Sequence, residues 1–227
     1  MRNARVTILA LFTVLGLGGC FDVNATNLLV IDNFNDGDLQ PLDPGFGSWQ
    51  AYGINSPEDP APKCVLDPDT QDRSPAALLL PFTVTDPVDL LQEDGGAGVK
   101  TGATMGAVDF TAYGRIAFDI KLVSGGDNPL PSNALVYLEL GCSSVPAESG
   151  DLATLYVVQG VPYTSDWQYV PLTLVNFGPP PWLTTPIKGG TVACLQHVDS
   201  VRFSIDAKLP DGKIGMGALH LDNVVLE

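Results

Sequence analysis

Two stretches of the chain alternate apolar and polar side chains without a break. In Arg115–Val123, Ile116, Phe118, Ile120 and Leu122 share one parity, while Ala117, Asp119 and Lys121 share the other. In Val201–Lys208, Val201, Phe203, Ile205 and Ala207 alternate with Arg202, Ser204, Asp206 and Lys208. A period of two marks half-buried antiparallel strands, because successive strand side chains leave opposite faces. Weaker forms of the pattern predict strands over Leu28–Ile31, Ser48–Ile54, Ala76–Thr85, Gly98–Met105, Asn133–Gly141, Asp151–Gly160, Trp167–Asn176 and Gly217–Glu227. That makes about ten strands, and no stretch after residue 19 carries the 3.6-residue period of an amphipathic helix. With 24 Gly and 19 Pro spread along the chain, the expected fold is all-β: an antiparallel β-sandwich of jelly-roll type with little or no helix. Asn55–Ser74 and Asn176–Gly190 read as long loops, the second carrying Pro179-Pro180-Pro181-Trp182. The apolar run that enters Ile31–Asp38 and the strand Leu219–Glu227, interrupted by Asp222 and Asn223, are expected to lie side by side and close the sandwich.

Residues 1–19 stand outside this pattern. Arg2 and Arg5 precede Val6–Leu17, an apolar run of about a dozen residues that is too short to cross a bilayer as an ordinary helix. Leu17-Gly18-Gly19-Cys20 then resembles the signal of bacterial lipoproteins, in which the cysteine becomes the acylated first residue. The resemblance implies export, acylation at Cys20, a tether over 20–27 and one soluble domain over 28–227. It also implies a membrane anchor made of acyl chains, each buried CH₂ contributing about 0.8 kcal/mol. Phe21 after the cysteine favours the outer membrane of the cell envelope.

Charge narrows the partners. The first 19 residues hold two of the eleven basic residues and none of the 26 acidic ones, leaving nine against 26, a net charge of −17. Phosphate binding needs a basic stripe, so nucleic acid is excluded as a partner, and anionic lipid is disfavoured as a docking surface. Beyond Cys20 the cysteines are Cys64, Cys142 and Cys194. In an exported chain three thiols give one bridge and one orphan. Cys142 closes one predicted strand and Cys194 lies just ahead of another, so Cys142–Cys194 is the expected disulfide. No cysteine or histidine spacing suggests zinc.

The order of short motifs is familiar. Ile31-Asp-Asn-Phe-Asn-Asp-Gly-Asp38 followed by Gly47-Ser48-Trp49 resembles the opening of carbohydrate-binding-module-like, galactose-binding-domain-like jelly rolls. Gly96–Met105, then Phe110-Thr-Ala-Tyr-Gly-Arg-Ile-Ala-Phe118, is similar to their central passage. Trp167-Gln-Tyr-Val-Pro-Leu172 and Leu219-His-Leu-Asp-Asn-Val-Val-Leu226 resemble their later strands. The resemblance spans nearly all of Leu28–Glu227 and places Trp49 in the core. It also implies a structural Ca²⁺ shared by the opening motif and the closing strand. Carried over by position, that points to Asn35 and Asp222, with Asp32, Asp36 and Asp38 nearby. Asn35 is a neutral oxygen donor where those proteins have a carboxylate, and the competing reading is a turn whose Asp and Asn side chains satisfy their own backbone.

The resemblance further implies a glycan partner bound without catalysis. Sugar binding needs aromatic faces and fixed polar groups on one surface, and strand parity offers Tyr52, Tyr137, Glu139, Tyr169, Arg202 and Asp206, provided that they share a sheet. The alternative is a structural or protein-interaction β-sandwich of the envelope in which these are ordinary sheet-surface residues paired with neighbours. Trp182 either stacks on a ligand or plugs the end of the sandwich, and the plug is preferred. His197 and His220 are the two histidines, and His220 is expected to be structural. No nucleophile elbow, metalloprotease helix or phosphate loop occurs, so an enzyme is not expected. A monomer is.

Overall fold

The computed structural model describes residues 28–54, 65–67, 76–85, 96–102, 106–125, 133–162, 166–206 and 214–227. The leader, Cys20, the tether and Cys64 lie outside the described residues. So do the side chains of Tyr52 and Asp206, of which only the backbone is described.

Among the described residues eleven strands follow in order: β1 (Leu29–Asp32), β2 (Gln50–Ile54), β3 (Val65–Asp67), β4 (Ala77–Thr85), β5 (Gly96–Gly102), β6 (Arg115–Gly125), β7 (Asn133–Pro146), β8 (Leu152–Pro162), β9 (Gln168–Thr173), β10 (Ser200–Asp206) and β11 (Ile214–Leu226). A short helix, α1 (Gly190–Leu195), precedes β10. All ten expected strands are present. The three-residue β3 is the addition, and it falls inside the stretch expected to be a loop. A 3₁₀ turn at Leu174–Asn176 ends β9 short of the expected strand end, and the second expected loop follows it and runs into α1 at its far end.

The strands form two antiparallel sheets. The six-stranded sheet runs β3-β4-β11-β6-β9, and β1 joins it by pairing with β11. Leu29 lies opposite Leu226 and Val30 opposite Val225, while β4 takes the Ile214–Leu221 half of the same strand. The first and last strands are therefore neighbours, as their matched patterns lead one to expect. The five-stranded sheet runs β2-β5-β10-β7-β8.

The apolar parities of the two sheets meet in between. Ile116, Phe118, Ile120, Leu219 and Leu221 come from one sheet and Val201, Phe203, Ile205, Leu138 and Leu140 from the other, all buried. Phe118 and Phe203 touch edge to face with ring centroids 4.8 Å apart, a preferred geometry for aromatic pairs. One expectation for β6 needs correcting. Its second face is not solvated: Ala117, Asp119 and Lys121 are buried as well. Trp167 lies over the Lys121 ammonium, 5.2 Å from ring centroid to Nζ, and the Asn223 amide donates to Asp119 Oδ2 at 2.9 Å.

The turn after β1 is a structural corner. Asp32 is buried and accepts two N–H groups, Phe34 N at 2.8 Å and Trp49 Nε1 at 2.7 Å. Phe34 has φ 53°, a left-handed conformation that costs a non-glycine residue roughly 1–2 kcal/mol. Its fully buried ring, 6.0 Å from that of Trp49, and the bond to Asp32 hold it there. Cys142 in β7, just before its bulge, and Cys194 in α1 form the expected disulfide, with Cα atoms 5.3 Å apart.

Candidate functional site

The outer face of the five-stranded sheet follows from the parity of β10. Val201, Phe203 and Ile205 point into the core, so Arg202 and Ser204 belong to the opposite face. Hydrogen-bonded registers then extend two rows across all five strands. Gln50, Lys100, Arg202, Glu139 and Tyr156 are successive cross-strand partners in the first row. The second row passes through position 52, Gly98, Ser204, Tyr137 and Val158. At about 4.8 Å per strand each row is about 19 Å long. Position 206 falls in the next row, opposite Leu135 and Gly96.

The two ends of the rows differ in chemistry. At the β2–β5 end lies an open pocket of about 310 Å³, lined by Ser48, Gln50, Lys100, Thr101, Ser200 and Arg202 with Gly47 and Gly102. Its rim is fixed by the backbone. Gly47 N donates to Gly102 O at 2.6 Å, and the buried Thr101 hydroxyl donates to Gly47 O. Arg202 reaches back toward Glu139 with Nη1 3.8 Å from Oε2, beyond hydrogen-bond length, and its Nε is buried without a partner.

At the β8 end the surface is aromatic and apolar. Trp182 stands 5.6 Å from Tyr156, ring centroid to centroid, with the planes tilted by 48°. The proline loop reaches this place because it is bonded along the edge of β8. Tyr156 N donates to Gly178 O at 2.8 Å, and Gly178 N donates back at 3.2 Å. Further on, Glu148 N donates to Pro186 O at 2.8 Å, and Ser149 N donates to Thr185 Oγ1 at 3.0 Å. Trp182 is 56% exposed, so it does not plug the sandwich, and that expectation is overturned. Leu135 and Val158 add exposed apolar surface beside it.

Of the side chains picked from the sequence, Tyr137, Glu139 and Arg202 come together on this face, and the backbone positions of Tyr52 and Asp206 lie in the same sheet. Tyr169 does not join them. It sits on β9, at the edge of the other sheet, because parity within a strand fixes the face but not the sheet to which the strand belongs. Its hydroxyl donates to Glu227, whose Oε1 also accepts Arg115 Nε at 2.9 Å. The Arg115 bond, then the Tyr169 bond, holds the Glu227 carboxyl below the usual range. Donation to Glu227 raises the Tyr169 phenol. Sequence reasoning missed Gln50, Lys100, Ser200 and Tyr156. Gln50 shares the parity of Tyr52 and was legible; the glycine-rich β5 around Lys100 shows no alternation that would betray its face.

Most of the oxygens of the residues named for calcium are already engaged by N–H groups or exposed on the turn. Both Asp32 oxygens accept N–H groups. Asn35 and Asp36 are exposed on the turn, where Asn33 Oδ1 accepts Asn35 N and Asp36 Oδ1 accepts Asp38 N. Asp222 is buried, in register with Asp119 on β6, and its Oδ1 accepts Asn223 N at 2.8 Å. Among the described residues no three His, Cys, Asp or Glu side chains converge as a metal-binding group.

No family model matches the chain, and no curated protein matches it. Solved structures do. The family 11 carbohydrate-binding module of a cellulosomal cellulase of Clostridium thermocellum superimposes with a TM-score of 0.55 at 17% identity, covering 89% of this chain and 95% of that one. A family 11 module from Clostridium thermocellum in complex with a β-1,3-1,4-mixed-linked tetrasaccharide gives 0.55 and 17%, covering 88% and 94%. A solution structure of a module of this family matches at 0.53 and 17%, covering 90% and 96%. The chain shares the β-sandwich fold of carbohydrate-binding modules over nearly its whole described length.

Proposed function

We propose that this protein binds a polysaccharide chain, without cleaving it, across the outer face of the five-stranded sheet. One observation carries the reading: two in-register rows join a polar pocket at one end to the exposed Trp182–Tyr156 pair at the other. Sugar rings have apolar C–H faces and hydroxyl-rich edges, so a chain of them uses aromatic platforms and fixed polar groups together. The mixed-linkage tetrasaccharide bound by one structural neighbour is a ligand of the same general class. Binding is the better reading than hydrolysis because a glycosidase sets two carboxylates about one bond. Among the described side chains of the two rows, Glu139 is the one carboxylate.

The chain is further read as an exported lipoprotein, acylated at Cys20 and held at the outer membrane as a monomer, on the support of Leu17-Gly18-Gly19-Cys20. Among the described residues no helix is long and apolar enough to cross a membrane. Cys20→Ser is expected to move the protein from the membrane fraction to the soluble one.

A glycan array probed with the full-length protein tests the central reading. Binding that Trp182→Ala and Tyr137→Ala remove while Tyr169→Ala leaves it intact is the expected result. Silence across a broad array, together with a protein partner captured by cross-linking, would replace it with an interaction module.

A further inference from the structure

A row of short side chains flanks the first row on its other side. Gly102, Ser200, Gly141 and Thr154 are successive cross-strand partners on β5, β10, β7 and β8, and each shares the outward parity of its first-row neighbour. Ser48 continues the row at the β2 edge, where it lines the pocket with Gly102 and Ser200. Every member is Gly, Ser or Thr, whereas Gln50, Lys100, Arg202, Glu139 and Tyr156 in the first row are all long. Rows on one face lie about 7 Å apart along the strands, so short side chains beside long ones make a step that crosses the sheet.

The two glycines of this row differ in their reason for being glycine. A Cβ at Gly141 would strike the Ser200 hydroxyl, so packing demands its absence. Gly102 is exposed, and its φ lies outside the left-handed region. Among the described residues a Cβ there would meet Asp199 O alone, at 3.5 Å, an ordinary contact. Gly47 N is bonded to Gly102 O at 2.6 Å, yet no Gly47 atom comes within 4 Å of that Cβ position. Glycine weakens a strand, and where neither turn nor packing requires it, close approach of a ligand to the backbone does.

From this we infer that the glycan lies in the step, its rings over the row from Ser48 to Thr154 and one edge turned to the first row, with Gly102 the position that decides whether a ring can settle. The inference rests on the glycan-binding reading and gives it a course: the chain crosses the strands for about 19 Å, from the pocket to Tyr156 and the Trp182 ring beside it. Bare backbone at Gly102 admits the C–H face of a ring, while the polar ends of the first row meet its hydroxyl edge.

Soluble mixed-linkage β-glucan, linear xylan and linear galactan are titrated into the full-length protein, and the tightest binder is carried into the variants. Gly102→Val fills the step with a side chain that strands accept, and should weaken binding about tenfold with no fall in melting temperature. Gly102→Ala should weaken it about threefold. Gly160→Val is the control: Gly160 is exposed on the same face, opposite Leu135 and beyond Val158 on β8, with no described atom within 4 Å of its Cβ position. It should leave affinity unchanged. If Gly102→Val melts lower, Gly102→Ala decides, since its Cβ has room, and unchanged affinity there counts against the step. Full affinity in both Gly102 variants would overturn the step and leave the glycan-binding reading in place. So would a loss in Gly160→Val with none in Gly102→Val, which would put the chain on the far side of the first row. Silence of all three probes and of a broad array would overturn both.

Discussion

The two outer faces of the sandwich carry similar residue types and use them in opposite ways. On the six-stranded sheet, charges are closed upon neighbours. Arg115 and Tyr169 both engage Glu227, Lys121 lies under Trp167, and the Asn223 amide holds Asp119. On the five-stranded sheet, Lys100 and Arg202 share one open pocket, and Tyr156 and Trp182 offer ring faces beside exposed apolar side chains. A tyrosine, an arginine and a glutamate occur on both faces, so composition cannot tell the faces apart. The difference lies in how closely the arginine is answered, Arg115 at 2.9 Å from Glu227 and Arg202 at 3.8 Å from Glu139, and in whether the surface is recessed.

The largest expected effect tests how much of this contrast depends on one staple. The Cys142–Cys194 bridge links residues 52 apart, and loop entropy assigns such a closure about 4 kcal/mol. It ties β7 to α1, which a short turn joins to Ser200 and the pocket. Denaturant unfolding of the Cys142→Ser, Cys194→Ser double variant should show most of that loss. Hydrogen exchange should rise first in β7, α1 and β10. A uniform rise across both sheets would show that the bridge does not serve the five-stranded sheet in particular.

Beneath both faces, Asp32 gives the next effect and a pH dependence of unusual sign. Burial pushes its carboxyl up to about 6, against the lowering pull of the bonds from Phe34 and Trp49. The native state therefore holds this proton more tightly than the unfolded chain. Its contribution is greatest below about pH 4, falls as pH rises to about 6, and is flat above; the whole change is about 3 kcal/mol at most. Asp32→Asn cannot accept both N–H groups and is less stable throughout, but its loss carries no such titration. The wild type's advantage over Asp32→Asn should shrink between pH 4 and 6 in urea melts. An advantage that grew over that range would reverse the assignment. Glycan affinity measured on folded protein should not follow this change, since Asp32 belongs to neither outer face.

A pair of tryptophans divides the faces most directly. Trp167→Ala removes a ring that covers Lys121 and meets His220 edge-on, 6.1 Å away, and should cost about 2–3 kcal/mol of stability with no change in affinity. Trp167→Phe should recover most of it, because a ring remains and the indole N–H, which has no partner, is gone. Trp182→Ala should do the reverse: about 2 kcal/mol of binding, close to thirtyfold, with little change in melting temperature. If both variants lost stability and kept affinity, the Trp182 face would be a packed surface like the other.

Much of this architecture was readable in advance. Alternation in Arg115–Val123 and Val201–Lys208 gave the two strands that face each other through Phe118 and Phe203, and the matched ends of the chain gave the pairing of β1 with β11. Val65–Asp67 escaped because three residues in a Pro/Asp-rich run show no period. Gly190–Leu195 escaped because a six-residue helix entered from a left-handed Gly189 carries no side-chain cap. The site was half legible. Parity found Tyr137, Glu139 and Arg202, but Tyr169 needed the strand order, and Trp182 needed the bonds that lay a proline loop along β8. Neither is a local property of the sequence. The opening motif illustrates the same limit. Asp32, Asn35 and Asp36 read equally well as ligands or as turn formers, and the N–H groups that face Asp32 come from the fold, one of them from Trp49 seventeen residues on.

The smallest expected effect concerns calcium, and it bears on the closed face. Asp119 and Asp222 are in register on β6 and β11, so a divalent cation would be drawn there before it was drawn to a pocket lined by Lys100 and Arg202. The bulge after Asp222, with Asn223 at φ 49°, turns the asparagine so that its side-chain amide serves Asp119 while its backbone N–H serves Asp222. Those donors turn positive dipoles to Asp119 Oδ2 and Asp222 Oδ1 without a metal. A chelator should therefore move the melting temperature by less than about 2 °C, below the shift that 1 kcal/mol produces in a domain of this size. A fall of several degrees that calcium reverses would show that this face is not closed on itself, and Asn223→Ala would then be the variant to compare, since it removes the amide but leaves both carboxylates for the metal.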